Sequence, residues 1–126
     1  MNSISSCDLH IHSYYSDGAM SPSAIVRAAA GKGLSAISIV DHDTAAGQVE
    51  TIEAGAATGV EIVTGIEFSV KEEELDIHIL AYCVGLKDER LSAALENLEK
   101  GRAERAEKIA DKLRKIGVPL TFDEIM

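Results

Sequence analysis

The 126-residue sequence has no tryptophan, and aromatic residues make up only 4% of it. So few rings argue against a stacking surface for single-stranded nucleic acid. Basic residues are scarce too: 12 Lys and Arg stand against 21 Asp and Glu, which gives a formal net charge of −9. This charge argues against a non-specific nucleic-acid binder, which needs a basic surface. An enzyme that acts on phosphate esters stays open, because bound divalent cations can reverse the local field.

Long hydrophobic runs are also missing, and none approaches the roughly 20 residues of a membrane-spanning helix. The first residues, MNSISSCDLH, contain neither a basic region nor an apolar stretch, so we expect no signal peptide and a cytoplasmic protein. Cysteine is rare, and Cys7 and Cys83 lie far apart within apolar segments. We expect both to be buried, reduced thiols rather than partners in a disulfide.

What the sequence does contain is the pattern of an α/β fold. Ser21 and Pro22 start a helix, Gly59 ends a second, and Asp88 caps a long third. The predicted elements are strand Ser6–Ile11, a helix over SPSAIVRAAAGKG, strand Ser35–Val40, helix Thr44–Thr58, strands Glu61–Val70 and Glu74–Val84, and helix Asp88–Gly117. This alternation predicts a parallel sheet. The last two strands are separated by too few residues for a crossover, so we expect a hairpin.

Two features near the end of the chain carry expectations of their own. Gly101 lies in the middle of the long predicted helix, where glycine costs about 1 kcal/mol relative to alanine, which favours a kink or a break. The last residues, TFDEIM, contain a capping box formed by Thr121 and Glu124. A helix that starts so close to Met126 predicts that the domain continues in a longer protein.

All four histidines lie in or just after predicted strands, with acidic residues beside them. His10 and His12 share one face of the first strand, because side chains alternate with a period of two, and Asp8 falls on the same face. Reactive groups of α/β barrels gather at the carboxyl ends of the strands. We therefore expect a metal site there, and imidazoles with carboxylates but no thiolate fit Zn, Mn or Fe. The acidic candidates are Asp8, Asp17, Asp41, Asp43, Glu67 and Asp76.

Several such ions side by side suit the hydrolysis of a phosphate ester, because they ionise a bridging water, neutralise the phosphate and stabilise the leaving oxygen. The sequence contains no Walker loop and no G-x-S-x-G motif. Ser13 and Ser16 are interpreted as turn residues rather than nucleophiles. Arg102 and Arg105 are interpreted as part of a solvated helix face that pairs with nearby glutamates.

Three segments, DLHIHSYYSDG, IVDHDTAAG and GIEFS, resemble the successive motifs of the PHP (polymerase and histidinol phosphatase) superfamily. The SDG and DHDT sequences are most similar to its nucleotide-phosphatase and oligonucleotide-exonuclease subgroup. The resemblance implies the N-terminal portion of a distorted (β/α)7 TIM-like barrel, with up to three divalent metal ions at the strand ends. It also implies that residues 1–126 form one PHP domain that is truncated at its C-terminus.

The resemblance further implies which residues bind each metal ion. The first metal is assigned to His10, His12 and Glu67, the second to Asp17 and His42, and the third to Glu67 and His78. Catalysis is assigned to Asp17, His42 and Glu67. The neighbouring Asp8, Asp41 and Asp43 are expected to orient the imidazoles, although Asp43 could instead cap the following helix.

The sequence departs from the family pattern after His78, where the family has a histidine in a segment like G-R-x-H and a late D-x-H, and this chain has no further histidine. The resemblance predicts a phosphoesterase that cleaves phosphate monoesters, nucleotides or short oligonucleotides with a metal-activated hydroxide. Histidinol phosphate is the alternative substrate. A third interpretation is an inactive, truncated metal-binding or scaffold form, which would associate with its own copies through the exposed edges of a half-barrel.

Overall fold

The structure is a computed structural model that describes residues 6–73 and 75–125. The chain divides into two compact units, Met1–Lys87 and Asp88–Met126. Glu74, which was predicted to begin the fourth strand, lies outside the described residues. The first unit contains β1 (Ser6–Ile11), α1 (Pro22–Gly31), β2 (Leu34–Ile39), α2 (Gln48–Thr58), β3 (Glu61–Ile62), β4 (Gly65–Glu72) and β5 (Leu75–Tyr82). The second contains α3 (Glu89–Lys115) and α4 (Phe122–Ile125).

Strands β1, β2 and β3 form a parallel sheet in that order, as the alternating pattern predicts. Strands β4 and β5 pair antiparallel, which confirms the expected hairpin. The single strand predicted over Glu61–Val70 is divided into β3 and β4, because pairing with β2 is interrupted between them. A parallel bridge between His42 and Glu67 restores that pairing beyond the end of β2. The hairpin of β4 and β5 is therefore connected to the parallel sheet through the pairing of His42 with Glu67.

The helix ends follow the predicted capping residues with one exception. Ser21 accepts a hydrogen bond from the backbone N–H of Ala24 (3.2 Å), and Gly59 ends α2 at a φ of 80°. The exception is the start of α2, which was predicted near Thr44 but lies at Gln48. Asp43, the residue before the predicted start, has a φ of 55°, a left-handed conformation rather than the extended one of an N-cap residue.

The core of the first unit lies between α1 and the sheet. Its buried members are Ile25, Val26 and Ala29 of α1, Ile37 and Ile39 of β2, and Val60 before β3. The three aliphatic side chains Val26, Ile37 and Ile39 are fully buried, and each contributes about 1.5–3 kcal/mol relative to an exposed position. This packing fixes β2, and the chain leaves β2 directly for the polar residues described below.

Helix α2 approaches β3 so closely at Gly55 that no side chain fits. A Cβ atom on Gly55 would lie 2.3 Å from Cγ1 of Ile62 and 2.9 Å from the carbonyl oxygen of Val60. We expect Gly55→Ala to lower the free energy of unfolding by about 1–3 kcal/mol, because the helix must move away from the strand. Gly31→Ala is the matched control, since nothing lies within 4 Å of its Cβ. Urea unfolding followed by circular dichroism measures both, and equal stabilities for the two variants would contradict this packing.

Both cysteines are exposed, so the prediction that they are buried is wrong. Cys7 lies in β1, whose first three residues Ser6–Asp8 are all exposed. Cys83 follows β5 at a φ of 56°. Apolar neighbours in the sequence suggested burial, but β1 is an edge strand and Cys83 lies beyond the end of the hairpin.

The second unit consists of the two C-terminal helices. Asp88 caps α3 by accepting hydrogen bonds from the backbone N–H groups of Arg90 and Leu91, and the Arg90 side chain lowers the pKa of its carboxyl. Helix α3 runs through Gly101 without the expected break. The predicted capping box precedes α4, where the backbone N–H of Thr121 donates to Glu124 (2.8 Å).

Arg102 and Arg105 are both exposed on α3, in agreement with a solvated helix face. None of the helices in the described ranges combines the length and the hydrophobicity needed to cross a membrane.

Candidate metal centre

Six predicted site residues meet where the parallel strands end. They come from four segments of the first unit. His10 lies in β1, His12 directly after it and Asp17 on the following turn; His42 follows β2, Glu67 lies in β4 and His78 lies in β5. Alternation along β5 places His78 on the side of the hairpin that faces this cluster.

Glu67 is at the centre of the cluster and is only 3% exposed. Its Oε2 lies 2.9 Å from Nε2 of His10 and 3.0 Å from Nε2 of His12. Its Oε1 lies 2.7 Å from Nδ1 of His78, and Nε2 of His42 is 3.9 Å from Oε2. One oxygen of the carboxylate thus faces His10 and His12, and the other faces His78.

The candidate ligand atoms form three overlapping groups in which all atoms lie within 4.8 Å of one another. The groups are His10–His12–Glu67, His12–Asp17–His42 and His42–Glu67–His78. The first contains the residues predicted for the first metal. The second adds His12 to the predicted pair, and the third adds His42. The structure thus brings the six predicted residues together, and their metal binding remains a prediction.

Electrostatics keep the central carboxylate ionised. Burial raises the pKa of Glu67, but the hydrogen bond from His10 and the charge of His42 outweigh it, so the pKa lies below its ordinary value. The imidazoles of His10 and His12 direct their Nε2 atoms at this carboxylate from only 3.1 Å apart. A cation shared by these imidazole nitrogens and the ionised carboxylate would stabilise their close arrangement.

A second observation, the environment of His12 Nδ1, also shows that the donor set fits a divalent metal ion. Within the described part of the chain, Nδ1 of His12 is a buried nitrogen without a hydrogen-bond partner, which costs free energy unless a ligand satisfies it. Asp17 Oδ1 lies 3.5 Å from this atom, and Asp17 Oδ2 lies 3.7 Å from Nε2 of His42. Imidazole nitrogens and carboxylate oxygens are ligands of Zn, Mn and Fe.

Two neighbouring aspartates, Asp8 and Asp41, do not act as the sequence predicts, and one of the two roles predicted for Asp43 is excluded. Asp8 accepts a hydrogen bond from the backbone N–H of His10 (3.2 Å), whereas Asp41 binds the turn after β1. Their predicted role in orienting imidazole rings is therefore wrong. Asp43 accepts from the backbone N–H of Ser69 in β4 (2.8 Å), and α2 has no side-chain cap, so the predicted capping by Asp43 is also wrong.

Two residues that support the cluster were missed by the sequence analysis. Gln48 is buried, and its side-chain amide donates to the carbonyl oxygens of Ile39 (2.7 Å) and Gly65 (2.9 Å). This amide spans the interruption between β2 and β4. The Tyr82 hydroxyl of β5 donates to the carbonyl oxygen of Leu9 in β1 (2.8 Å). No periodicity marks either residue, because each acts through a distant backbone atom.

Histidines and carboxylates gathered at the strand ends of an α/β fold are typical of metal-dependent enzymes. The chain belongs to the PHP family, since the PHP domain model matches residues 8–97. This match confirms the resemblance seen in the three motifs.

Two curated relatives align with most of the chain. A 5′-3′ exoribonuclease of Haemophilus influenzae is 38% identical over 116 residues, which are 92% of this chain and 42% of that protein. A 3′,5′-nucleoside bisphosphate phosphatase of Chromobacterium violaceum is 33% identical over 94% of this chain and 42% of its own length. The chain thus spans well under half the length of the relatives it matches.

Solved structures confirm the predicted fold as part of a PHP-type, TIM-like barrel. An amidohydrolase from Chromobacterium violaceum with bound sulfate has a TM-score of 0.85 and 32% identity, over 94% of this chain and 42% of that one. A protein from Bifidobacterium adolescentis proposed to be a metal-dependent phosphoesterase also has a TM-score of 0.85, with 31% identity over 94% of this chain and 41% of that one.

Proposed function

We propose that this chain carries metal-binding residues of a phosphoesterase that acts on phosphorylated nucleotides or short oligonucleotides. The observation that carries the proposal is the position of Glu67, whose Oε2 faces His10 and His12 while its Oε1 faces His78. A carboxylate placed in this way suits two adjacent cations, and adjacent cations suit phosphoryl hydrolysis. The names of the two curated relatives support this reaction class and these substrates.

Each part of the cluster has a chemical role in this proposal. His10, His12 and Glu67 would hold one divalent ion, Zn, Mn or Fe, while Asp17 and His42 would hold another. The third ion would contact Glu67 and His78. When bound, such ions polarise a phosphoryl oxygen and make water a nucleophile at neutral pH.

The substrate would approach from the open side of the cluster. The side chains of Asp17, His10 and His78 are 66%, 51% and 50% exposed, whereas Glu67 is buried beneath them. The buried carboxylate keeps its charge because the imidazoles lower its pKa. Glu67 would thus contact the ions from the buried side of the cluster, and the exposed residues would border the phosphate.

The proposal is tested on the 126-residue chain with Mn²⁺ or Zn²⁺ supplied. Phosphate release from a nucleoside 3′,5′-bisphosphate, a 5′-phosphorylated oligonucleotide and histidinol phosphate is measured alongside metal content. We expect at most weak, metal-dependent release from the nucleotides, because the late histidines of the family pattern are absent from this chain, and release at ordinary enzyme rates would contradict that reasoning. EDTA and the variant His10→Ala/His12→Ala should abolish the release, because the first group then keeps one of its three ligands.

The other outcomes decide between the alternatives. Preference for histidinol phosphate would overturn the nucleotide assignment. Bound metal without any phosphate release would support the scaffold interpretation, and a gel-filtration profile would then test self-association. Full metal content in the double variant would contradict the ligand assignment itself.

A further inference from the structure

Asp41 lies two residues after the end of β2, is 1% exposed and belongs to none of the three candidate ligand groups. Its carboxylate accepts three hydrogen bonds, all from the turn after β1. Oδ1 accepts from the backbone N–H of Ser13 (2.7 Å) and from the hydroxyl of Ser16 (2.7 Å), and Oδ2 accepts from the hydroxyl of Ser13 (2.6 Å). A buried charge is stable only when it is bonded in this way.

The turn that Asp41 holds carries Asp17, which is the most exposed carboxylate of the cluster. The Ser16 hydroxyl, bonded to Asp41, also lies 3.3 Å from Oδ1 of Asp17. The hydroxyl has one proton, and its shorter contact is with Asp41, so the backbone of the turn connects Asp41 to Asp17. Backbone bonds from Ser16 and Gly18 to the carbonyl oxygen of Ser13 close the same turn (3.1 and 2.9 Å).

We propose that Asp41 is a positioning residue that acts on Asp17 through the turn that the Ser13 and Ser16 hydroxyls fasten to its carboxylate. An exposed aspartate samples several rotamers, and each must be given up when the carboxylate binds a metal ion. Asp41 holds Ser13 and Ser16, and the backbone of Asp17, the next residue in this turn, is thereby restricted before a metal ion binds. Asp41 also adds negative charge beside the His12–Asp17–His42 group without occupying a coordination position. This inference rests on the metal-binding part of the proposed function.

The test uses Co²⁺ as the probe and the full chain as the protein. Binding isotherms and visible absorption spectra are recorded for the wild type, Ser16→Ala, Asp17→Asn and the double variant. We expect Ser16→Ala to weaken one class of Co²⁺ site about 10-fold and to change its absorption bands, as removal of a group that orients a ligand does. We expect Ser16→Ala to have no further effect once Asp17 is replaced.

Ser92→Ala is the matched control, because it removes an exposed hydroxyl bonded to the Asp88 carbonyl oxygen in α3. Asp41→Asn should weaken the same Co²⁺ site at least as much as Ser16→Ala, and circular dichroism verifies its fold. If Asp41→Asn does not fold, the measurements on the Ser16 variants are sufficient to test the inference.

Three results would overturn the inference. Wild-type affinity in Ser16→Ala would show that the hydroxyl does not act on the ligand. An undiminished effect of Ser16→Ala in the Asp17→Asn background would show that it acts through another residue. If the wild-type chain binds no Co²⁺, Mn²⁺ or Zn²⁺, both this inference and the metal-binding part of the proposed function are overturned. The first two results, by contrast, leave the proposed function intact.

Discussion

Replacing Glu67 with glutamine is expected to weaken divalent-cation binding by about 100-fold or more, since removal of a residue that only orients a ligand already costs about 10–100-fold. Glu67 belongs to two of the three groups, so a single change affects both. Glutamine keeps the size of the side chain but loses the charge. Its amide nitrogen would also take the place of an oxygen that now faces His10 and His12, or His78.

Metal content after dialysis and calorimetric titration with Mn²⁺ and Zn²⁺ measure this effect. Glu53→Gln, an identical change at an exposed position of α2, is the control. If Glu67→Gln retained metal at the wild-type stoichiometry and affinity, the central position of Glu67 would have no role in binding.

The same variant has a consequence for the metal-free protein. Because the pKa of Glu67 lies below its ordinary value, its carboxylate stabilises the fold above the pKa of the unfolded chain. This contribution is lost as the pH falls through the lowered pKa. Acid unfolding of Glu67→Gln in EDTA should therefore depend less on pH in this range than that of the wild type.

Gly18→Ala is the second change for which we expect a large effect. A Cβ atom at this position would lie 2.2 Å from the carbonyl oxygen of His12, 2.6 Å from its carbonyl carbon and 2.9 Å from that of Ser13. All three are backbone atoms, so no side-chain rotation relieves the overlap. We expect a loss of about 3 kcal/mol in the free energy of unfolding, at the upper end for overpacking.

The turn must open to accept the alanine, and Asp17 moves with it. Gly18→Ala should therefore also weaken the Co²⁺ site that depends on Asp17. Urea unfolding and Co²⁺ titration measure the two effects, with Gly31→Ala as the control in open space. A variant of wild-type stability would show that the turn adapts, and the close approach of Gly18 to His12 would then be unimportant.

Much of this domain follows from short-range patterns in the chain. The bounds of β1, the cap at Ser21, the end of α2 at Gly59 and the cap at Asp88 each depend on neighbouring residues, and each was predicted. The three motifs also contained five of the six residues of the candidate centre, and the sixth, His78, was assigned through the family resemblance. Strand ends of a parallel sheet meet at one edge, so residues that follow separate strands converge.

Other features depend on contacts between distant parts of the chain. The division of the third strand depends on where β2 stops pairing with it, and Gln48 then spans the interruption from a separate helix. The exposure of Cys7 follows from the edge position of β1 in the sheet. Local hydrophobicity cannot report sheet order, so these predictions were missing or wrong.

The sequence by itself determined the family, the order of the elements and the identity of the residues that form the centre. Tertiary structure decided how those residues are shared among three groups, and that Asp41 binds the turn at Ser13 and Ser16 rather than an imidazole. The physical reason is that residue type and spacing encode which chemistry is available. Distances between groups on different strands are set only when the sheet, the hairpin and the core pack together.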